Sequence, residues 1–212
     1  MKGKLITFEG IDGSGKSTQI KNTYNHLSKK GLKVYNYREP GGTELGEKVR
    51  DMLLDPKMEI VSKAELELFL SSRAQLLEQI VYPNLEEGNI VLLDRFYGST
   101  LAYQAFGRAK GDPKWIKHIN NSMDFLLEDF RPHAQFYLRI PLEESFKRRD
   151  ARAEKKDRME QNEKDFFKRV YEGYENFRET GDNVVAIDGM PKQEEVFNSI
   201  RVYLDFLLKD YV

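Results

Sequence analysis

The sequence predicts an α/β fold in which a five-stranded parallel sheet carries helices on both faces, with residues 1–212 forming one domain. Three observations carry that expectation. Short apolar or β-branched runs alternate with stretches of helical spacing along the whole chain, as in parallel strands joined by crossover helices. One run, Ile90-Val91-Leu92-Leu93, is wholly apolar rather than alternating, which is the pattern of a strand buried on both faces. The first run, Leu5-Ile6-Thr7-Phe8, ends at a glycine-rich turn and leads into a helical pattern.

Taken in order, Lys16 to Lys30 reads as a helix that stops at Gly31, where a left-handed residue suits a helix C-terminus. Val34 to Tyr37 is the second strand. Thr43 to Leu54 repeats apolar residues at Leu45, Val49, Leu53 and Leu54, a helical spacing. Ser62-Lys63-Ala64-Glu65 has the form of a capping box and opens a long helix reaching about Val81, with Pro83 just beyond its end. Ile90 to Leu93 is the third strand, Phe136-Tyr137-Leu138 the fourth and Val184 to Ile187 the fifth. A helical stripe in IRVYLDFLL near the C-terminus is expected to cover the sheet. Residues Lys147 to Arg158, KRRDARAEKKDR, stand apart: charge crowds there and apolar residues nearly vanish, which by itself describes a solvated helix face.

The totals exclude several classes of function. With 34 basic and 35 acidic residues the net charge is −1, so there is no footprint for duplex nucleic acid or an anionic membrane, and any basic residues that matter must cluster locally. The absence of cysteine rules out disulfides, thiolate metal sites and cysteine nucleophiles. Three histidines without HxxH or HExxH spacing argue against zinc hydrolysis. The apolar stretch in MKGKLITFEGIDG is too short for a signal-peptide core and no window approaches a membrane span, so a cytoplasmic protein is expected.

Gly10, Ile11, Asp12, Gly13, Ser14, Gly15, Lys16 and Ser17 match the GxxxxGK[ST] phosphate loop at every specified position, with Thr18 following. A strand before it and a helix after it supply the required context. Glycines let the backbone wrap so that its N–H groups point inward at phosphate oxygens, and the helix start adds unpaired donors and the positive end of its dipole. Lys16 would bring a cation to the β- and γ-phosphates, while the Ser17 hydroxyl would ligate Mg²⁺. The fold is therefore of the P-loop NTPase type and ATP an expected ligand. Which acceptor receives the phosphoryl group stays open on the motif alone, because switches, motors and kinases all share it.

FEGIDGSGKST at 8–18, REPGGT at 38–43, the pair Phe69 and Arg73, DRFYGSTLAYQ at 94–104 and DRME at 157–160 give the chain its resemblance to the bacterial thymidylate kinases, P-loop nucleoside monophosphate kinases. The resemblance runs from the first strand to the last helix. It implies transfer of the γ-phosphoryl of ATP to dTMP, giving dTDP and ADP in the supply of dTTP for DNA synthesis. The nearest alternative is a P-loop kinase for another pyrimidine nucleotide or a deoxynucleoside. It also implies a homodimer, and no partner beyond the small-molecule substrates.

Residues and resemblance combine at the site. Arg38 and Arg95 fall at the C-terminal ends of the second and third strands, beyond which ligands of open parallel sheets bind. Both can fork onto an acceptor phosphate, as the matching family arginines do. Asp94 ends a buried strand, where a carboxylate is costly unless paired or coordinated. It reads as a Mg²⁺-shell group, directly or through water, or as a group that only orients Arg95 or Lys16. By resemblance Asp12 approaches the acceptor's 3′-hydroxyl and helps order the metal, with a plain loop cap as the other reading.

Phe69 and Arg73 share a helix face. Alone such a pair usually means packing; in the family it stacks on thymine and donates to a base carbonyl. Ser99 and Gln104 offer hydrogen bonds to the rest of the base, and Tyr103 is similar to the residue that excludes a 2′-hydroxyl. The phosphate loop lacks the arginine that many thymidylate kinases carry there. The resemblance therefore makes the basic run a mobile lid, about residues 147–160, whose Arg149 and Arg152 supply the missing catalytic cation, with Arg148 and Arg158 next in line.

Overall fold

A computed structural model of the chain describes residues 3–128, 130–151, 157–209 and 211. Its five strands are β1 (Lys4–Glu9), β2 (Val34–Arg38), β3 (Ile90–Asp94), β4 (Ala134–Arg139) and β5 (Val184–Asp188). They form one sheet in the order β2-β3-β1-β4-β5, and every pairing is parallel. Phe8 pairs with Asp94 and Arg38 with Asp94, so β1, β2 and β3 finish along the same edge. The chain lays β2 and β3 on one side of β1, and β4 and β5 on the other. Winding thus reverses at β1, and a crevice opens at its carboxyl end, where open α/β sheets bind ligands.

Strand alternation divides the core. Ile6, Phe8, Leu92, Phe136 and Leu138 face one layer, packed with Leu27 of α1 (Lys16–Lys29) and with Ile200 and Leu204 of α9 (Gln193–Leu207). Leu5, Val91 and Leu93 face the other, against Leu76 of α3 (Ser62–Leu76) and Met123 of α6 (Pro113–Leu127). On that side Tyr137 meets Val170 and Tyr174 of α8 (Lys164–Thr180). The C-terminal stripe covers the sheet as expected, and β3 is buried along Ile90 to Leu93.

Two local expectations fail. The sequence Ser62-x-x-Glu65 is not a capping box: Val61 precedes α3 and makes no side-chain cap, while the Glu65 side chain is fully buried and bonded to residues far along the chain. Nor does the long helix end before Pro83. It continues through a π-helical turn, Leu77–Val81, into α4 (Tyr82–Glu86), whose first turn holds Pro83. Proline has no N–H to give to the ladder, and the missing bond falls where the π-helical turn meets α4. By contrast α2 (Glu44–Leu54) starts on a true cap, the Thr43 side chain accepting the Gly46 N–H at 3.0 Å. Past β3, α5 (Tyr97–Thr100) runs directly into a second π-helical segment, Leu101–Arg108. Of the basic run, α7 (Leu142–Asp150) holds the first part. Among the described residues no helix is long and apolar enough to cross a membrane.

Candidate active site

The phosphate loop follows β1 and opens α1. Gly10 has φ +139°, and a Cβ there would lie 2.6 Å from the Leu138 carbonyl oxygen. Gly15, at φ +96°, precedes α1; a Cβ on it would meet no atom within 4 Å and would project into the open cradle. The first turn of α1 carries no acidic residue and no side-chain cap, so its N–H groups are left for an anion.

Lys16 is 6% exposed, its Nζ donating to the carbonyls of Gly10 at 2.9 Å and Ile11 at 3.2 Å. Burial, helped by the nearby Arg95 charge, pulls its pKa down to about 8. The Ser17 hydroxyl donates to Asp94 Oδ2 at 3.2 Å. Asp94 Oδ1 is buried without a hydrogen-bond partner among the described residues. A hydroxyl beside one carboxylate with an unused oxygen suits Mg²⁺, which is commonly held by one or two such groups together with phosphates and water.

Arg95, one residue past β3, sits at φ 73°, a left-handed conformation that non-glycine residues seldom adopt. Its backbone N–H donates to Phe8 O at 2.9 Å. The guanidinium pairs with Asp12 and donates to Gly10 O at 3.2 Å, Ser99 Oγ at 3.1 Å and Tyr174 Oη at 3.0 Å. Asp12 accepts a second bond from the Tyr103 hydroxyl at 2.9 Å. Burial works to raise the Asp12 carboxyl, but the charges of Arg95 and Lys16 hold it at about 2. Ser99 in turn donates to Glu9 Oε2 at 2.6 Å, and Glu9 accepts the Phe96 N–H at 2.8 Å. The Ser99 hydroxyl is thus engaged in holding Arg95.

Two cavities meet at this pair. One, of about 220 Å³, lies over Gly13, Gly15, Lys16, Ser17 and Thr18. The other, of about 130 Å³, is walled by Phe69, Arg73, Ser99, Tyr103 and Gln104. Asp12, Glu39, Arg50 and Arg95 belong to both. Phe69 and Arg73 do share one face of α3, as their spacing predicts. Arg73 is 2% exposed: its Nε donates to Glu39 Oε2 at 2.8 Å, its Nη2 to Thr100 Oγ1 at 2.9 Å, and its Cζ lies 5.0 Å from the Phe96 ring centroid. Gln104 donates from Nε2 to Glu65 Oε1 at 3.0 Å.

The remaining expected residues divide. Arg38 reaches only the first cavity, half-exposed and paired with Glu47 at 2.8 Å. Arg149 is buried over the Phe167 ring, 4.3 Å from its centroid, and Nη2 donates to Glu160 O at 2.9 Å. Its Nε and Nη1 have no hydrogen-bond partner among the described residues, and its charge helps lower the Asp12 carboxyl. Arg148 donates to the carbonyls of Gly13 and Gly189, each at 3.3 Å. Arg158 turns to Glu65 at 2.6 Å and to Leu53 O at 2.7 Å. Arg152 lies outside the described residues.

Sequence reasoning passed over Glu9, Glu39, Arg50, Glu65 and Tyr174. A charge at the end of the apolar run Leu5 to Phe8 was a legible signal for Glu9, the same one that marks Asp94. Arg50 had no such signal, because its place on α2 reads as an ordinary solvated position until that helix packs on α3 and Nη1 reaches Pro40 O at 3.1 Å.

A thymidylate kinase family model matches residues 8–200. A thymidylate kinase of Thermoanaerobacter sp. (strain X514) is 45% identical over 209 residues, 96% of this chain and 100% of the relative. One of Thermosipho africanus is 41% identical over 197 residues, covering 93% and 95%. One of Chlorobaculum parvum is 40% identical over 212 residues, covering 96% of each. Matches of that extent run from the first strand into the last helix, and they make the chain a member of the thymidylate kinase family.

Proposed function

We infer that the chain transfers the γ-phosphoryl group of ATP to dTMP, giving dTDP and ADP. The single observation that carries this reading is the wall shared by the two cavities. Transfer between two phosphates needs two anions brought in line with their repulsion cancelled, and little covalent work from the protein. A cavity over a phosphate loop, joined to a second one across Arg95 and Arg50, supports such an arrangement.

In this reading the loop N–H groups and Lys16 hold the triphosphate. Ser17 and Asp94 would hold Mg²⁺, which neutralises charge on the transferring oxygens when bound. Arg95, braced by Asp12, Ser99 and Tyr174, meets the acceptor phosphate with Arg50 and, from the donor side, Arg38. A guanidinium held this firmly needs no reorganisation as charge develops. Phe69 stacks on the base, Arg73 and Gln104 bond its edge, and Tyr103 packs against the sugar where a 2′-hydroxyl would stand. Arg149 and Arg152 belong to a basic lid, about 147–160, that adds cations over the γ-phosphate; the buried Nε and Nη1 of Arg149, without a hydrogen-bond partner among the described residues, support its part in this. We further read the protein as a cytoplasmic homodimer that supplies dTTP synthesis. A monomer in sedimentation would refute the dimer.

The test is an acceptor panel of dTMP, dUMP, dCMP and thymidine with ATP and Mg²⁺. The expected order places dTMP first. A preference for dCMP, or for thymidine over its monophosphate, would overturn the proposal.

A further inference from the structure

Glu65 is a carboxylate with 0% exposure, and it lies behind the acceptor cavity rather than in its wall. Four donors converge on it. Gln104 Nε2 and Arg108 Nε each bond Oε1 at 3.0 Å; Arg108 Nη2 bonds Oε2 at 3.0 Å and Arg158 Nη2 at 2.6 Å. The two arginines are fixed in their turn, Arg108 to Asn162 Oδ1 at 2.6 Å and Arg158 to Leu53 O at 2.7 Å, so the carboxylate is gripped from both sides. Burial would raise its pKa, yet bonds from Arg108 and its charge, with Gln104 and Arg158, bring it below the ordinary glutamate value. An ionised carboxylate accepts and never donates. The Gln104 amide, itself 1% exposed, must therefore turn its nitrogen toward Glu65. A rotation of the amide by half a turn would set two oxygens against each other.

We infer that Glu65 is a positioning residue for base choice. By holding the Gln104 nitrogen, it leaves carbonyl Oε1 to face the acceptor cavity, where it accepts from a pyrimidine N3–H. Thymine and uracil carry that hydrogen. Cytosine presents a lone pair at N3 instead and would meet an acceptor with an acceptor, which rejects it by repulsion as well as by a missing bond. This inference rests on the proposed dTMP kinase function and assigns part of its specificity.

The test compares dTMP and dCMP as acceptors for the wild-type and E65Q enzymes. A glutamine at 65 both donates and accepts, so the amide at 104 is free to take either orientation. The preference for dTMP over dCMP in kcat/KM is expected to narrow about tenfold, carried by a higher KM for dTMP at nearly unchanged kcat. A role in packing alone would lower activity toward both acceptors alike, and an unchanged ratio overturns the inference. Should E65Q fail to fold, E65D keeps the charge for Arg108 and Arg158 but withdraws the carboxylate by one methylene, and it carries the same expectation. In the wild-type complex with dTMP, NMR is expected to show a slowly exchanging N3–H proton; fast exchange would overturn the inference without any variant. A wild-type enzyme that itself favours dCMP or thymidine removes the proposed function and this inference together. One that favours dTMP while both variants keep its ratio removes only the role of Glu65.

Discussion

The two cavities are built by different means. The donor cradle is built on one contiguous backbone loop, Gly10 to Ser17, whose shape comes from glycines at positive φ and the bare start of α1, with Arg38, Glu39, Arg50, Asp94 and Arg95 closing its side. The acceptor cavity is collected from many separate stretches: Asp12 of the loop, the turns after β2 and β3, α2, α3, α5, the segment Leu101–Arg108 and residues 157–160. Polar side chains of its wall are bonded to carboxylates: Arg73 to Glu39, Gln104 to Glu65 and Arg95 to Asp12. A backbone anion site is largely preorganised once its strand and helix form. A side-chain site must be held in place by partners, so its recognition and its stability share the same residues.

That contrast can be broken at three points. Lys16→Ala is expected to lower phosphoryl transfer by about 10²–10³, as loss of one preorganised transition-state donor does. It should leave folding stability intact, because it removes a buried cation whose burial is unfavourable. A urea midpoint falling well below wild type would contradict the view that the donor side is held by backbone.

Arg73→Ala should instead cost stability, about 3–5 kcal/mol, because Glu39 is left buried without its counter-charge. Denaturant titration reads this directly, and KM for dTMP should rise with it. A stable variant with a normal KM would show that the acceptor wall does not depend on its ion pairs.

The smallest effect is on pH dependence. The charged form of Lys16 binds phosphate, and in the free protein its pKa is lowered to about 8. The charged fraction therefore falls as pH rises through 8, and kcat/KM for ATP should fall with it, approaching tenfold per unit at the alkaline end. Bound phosphate raises that pKa, so kcat at saturating ATP should hold to higher pH. Lys16→Arg, which keeps its charge, should give a flat limb over the same range. A limb equally steep in that variant would assign the titration to another group.

Glu65 and Pro83 mark where local pattern stopped being a guide. Ser62 to Glu65 satisfies the capping-box spacing, yet the partners that claim Glu65 lie 39, 43 and 93 residues along the chain. No short window contains that competition. Pro83 signals a helix end, but the π-helical turn ahead of it shifts the hydrogen-bond register, so α4 restarts with the proline in its first turn. Phe69 and Arg73 succeed for the opposite reason: a four-residue spacing on one helix is a local fact, and both side chains do reach the same cavity.

Read alone, the chain determined its five parallel strands, the helices that short-range spacing marks and the donor cradle. Each of these depends on short-range periodicity, on glycine's conformational freedom or on one contiguous motif. Tertiary structure alone decided which charges stand behind the acceptor wall: that Arg50 reaches both cavities, that Ser99 and Tyr174 brace Arg95, and that Glu65 holds Gln104. Burial in a low-dielectric interior makes an unpaired charge too costly to keep, and the partner that relieves it is chosen by proximity in space, which spacing along the chain does not record.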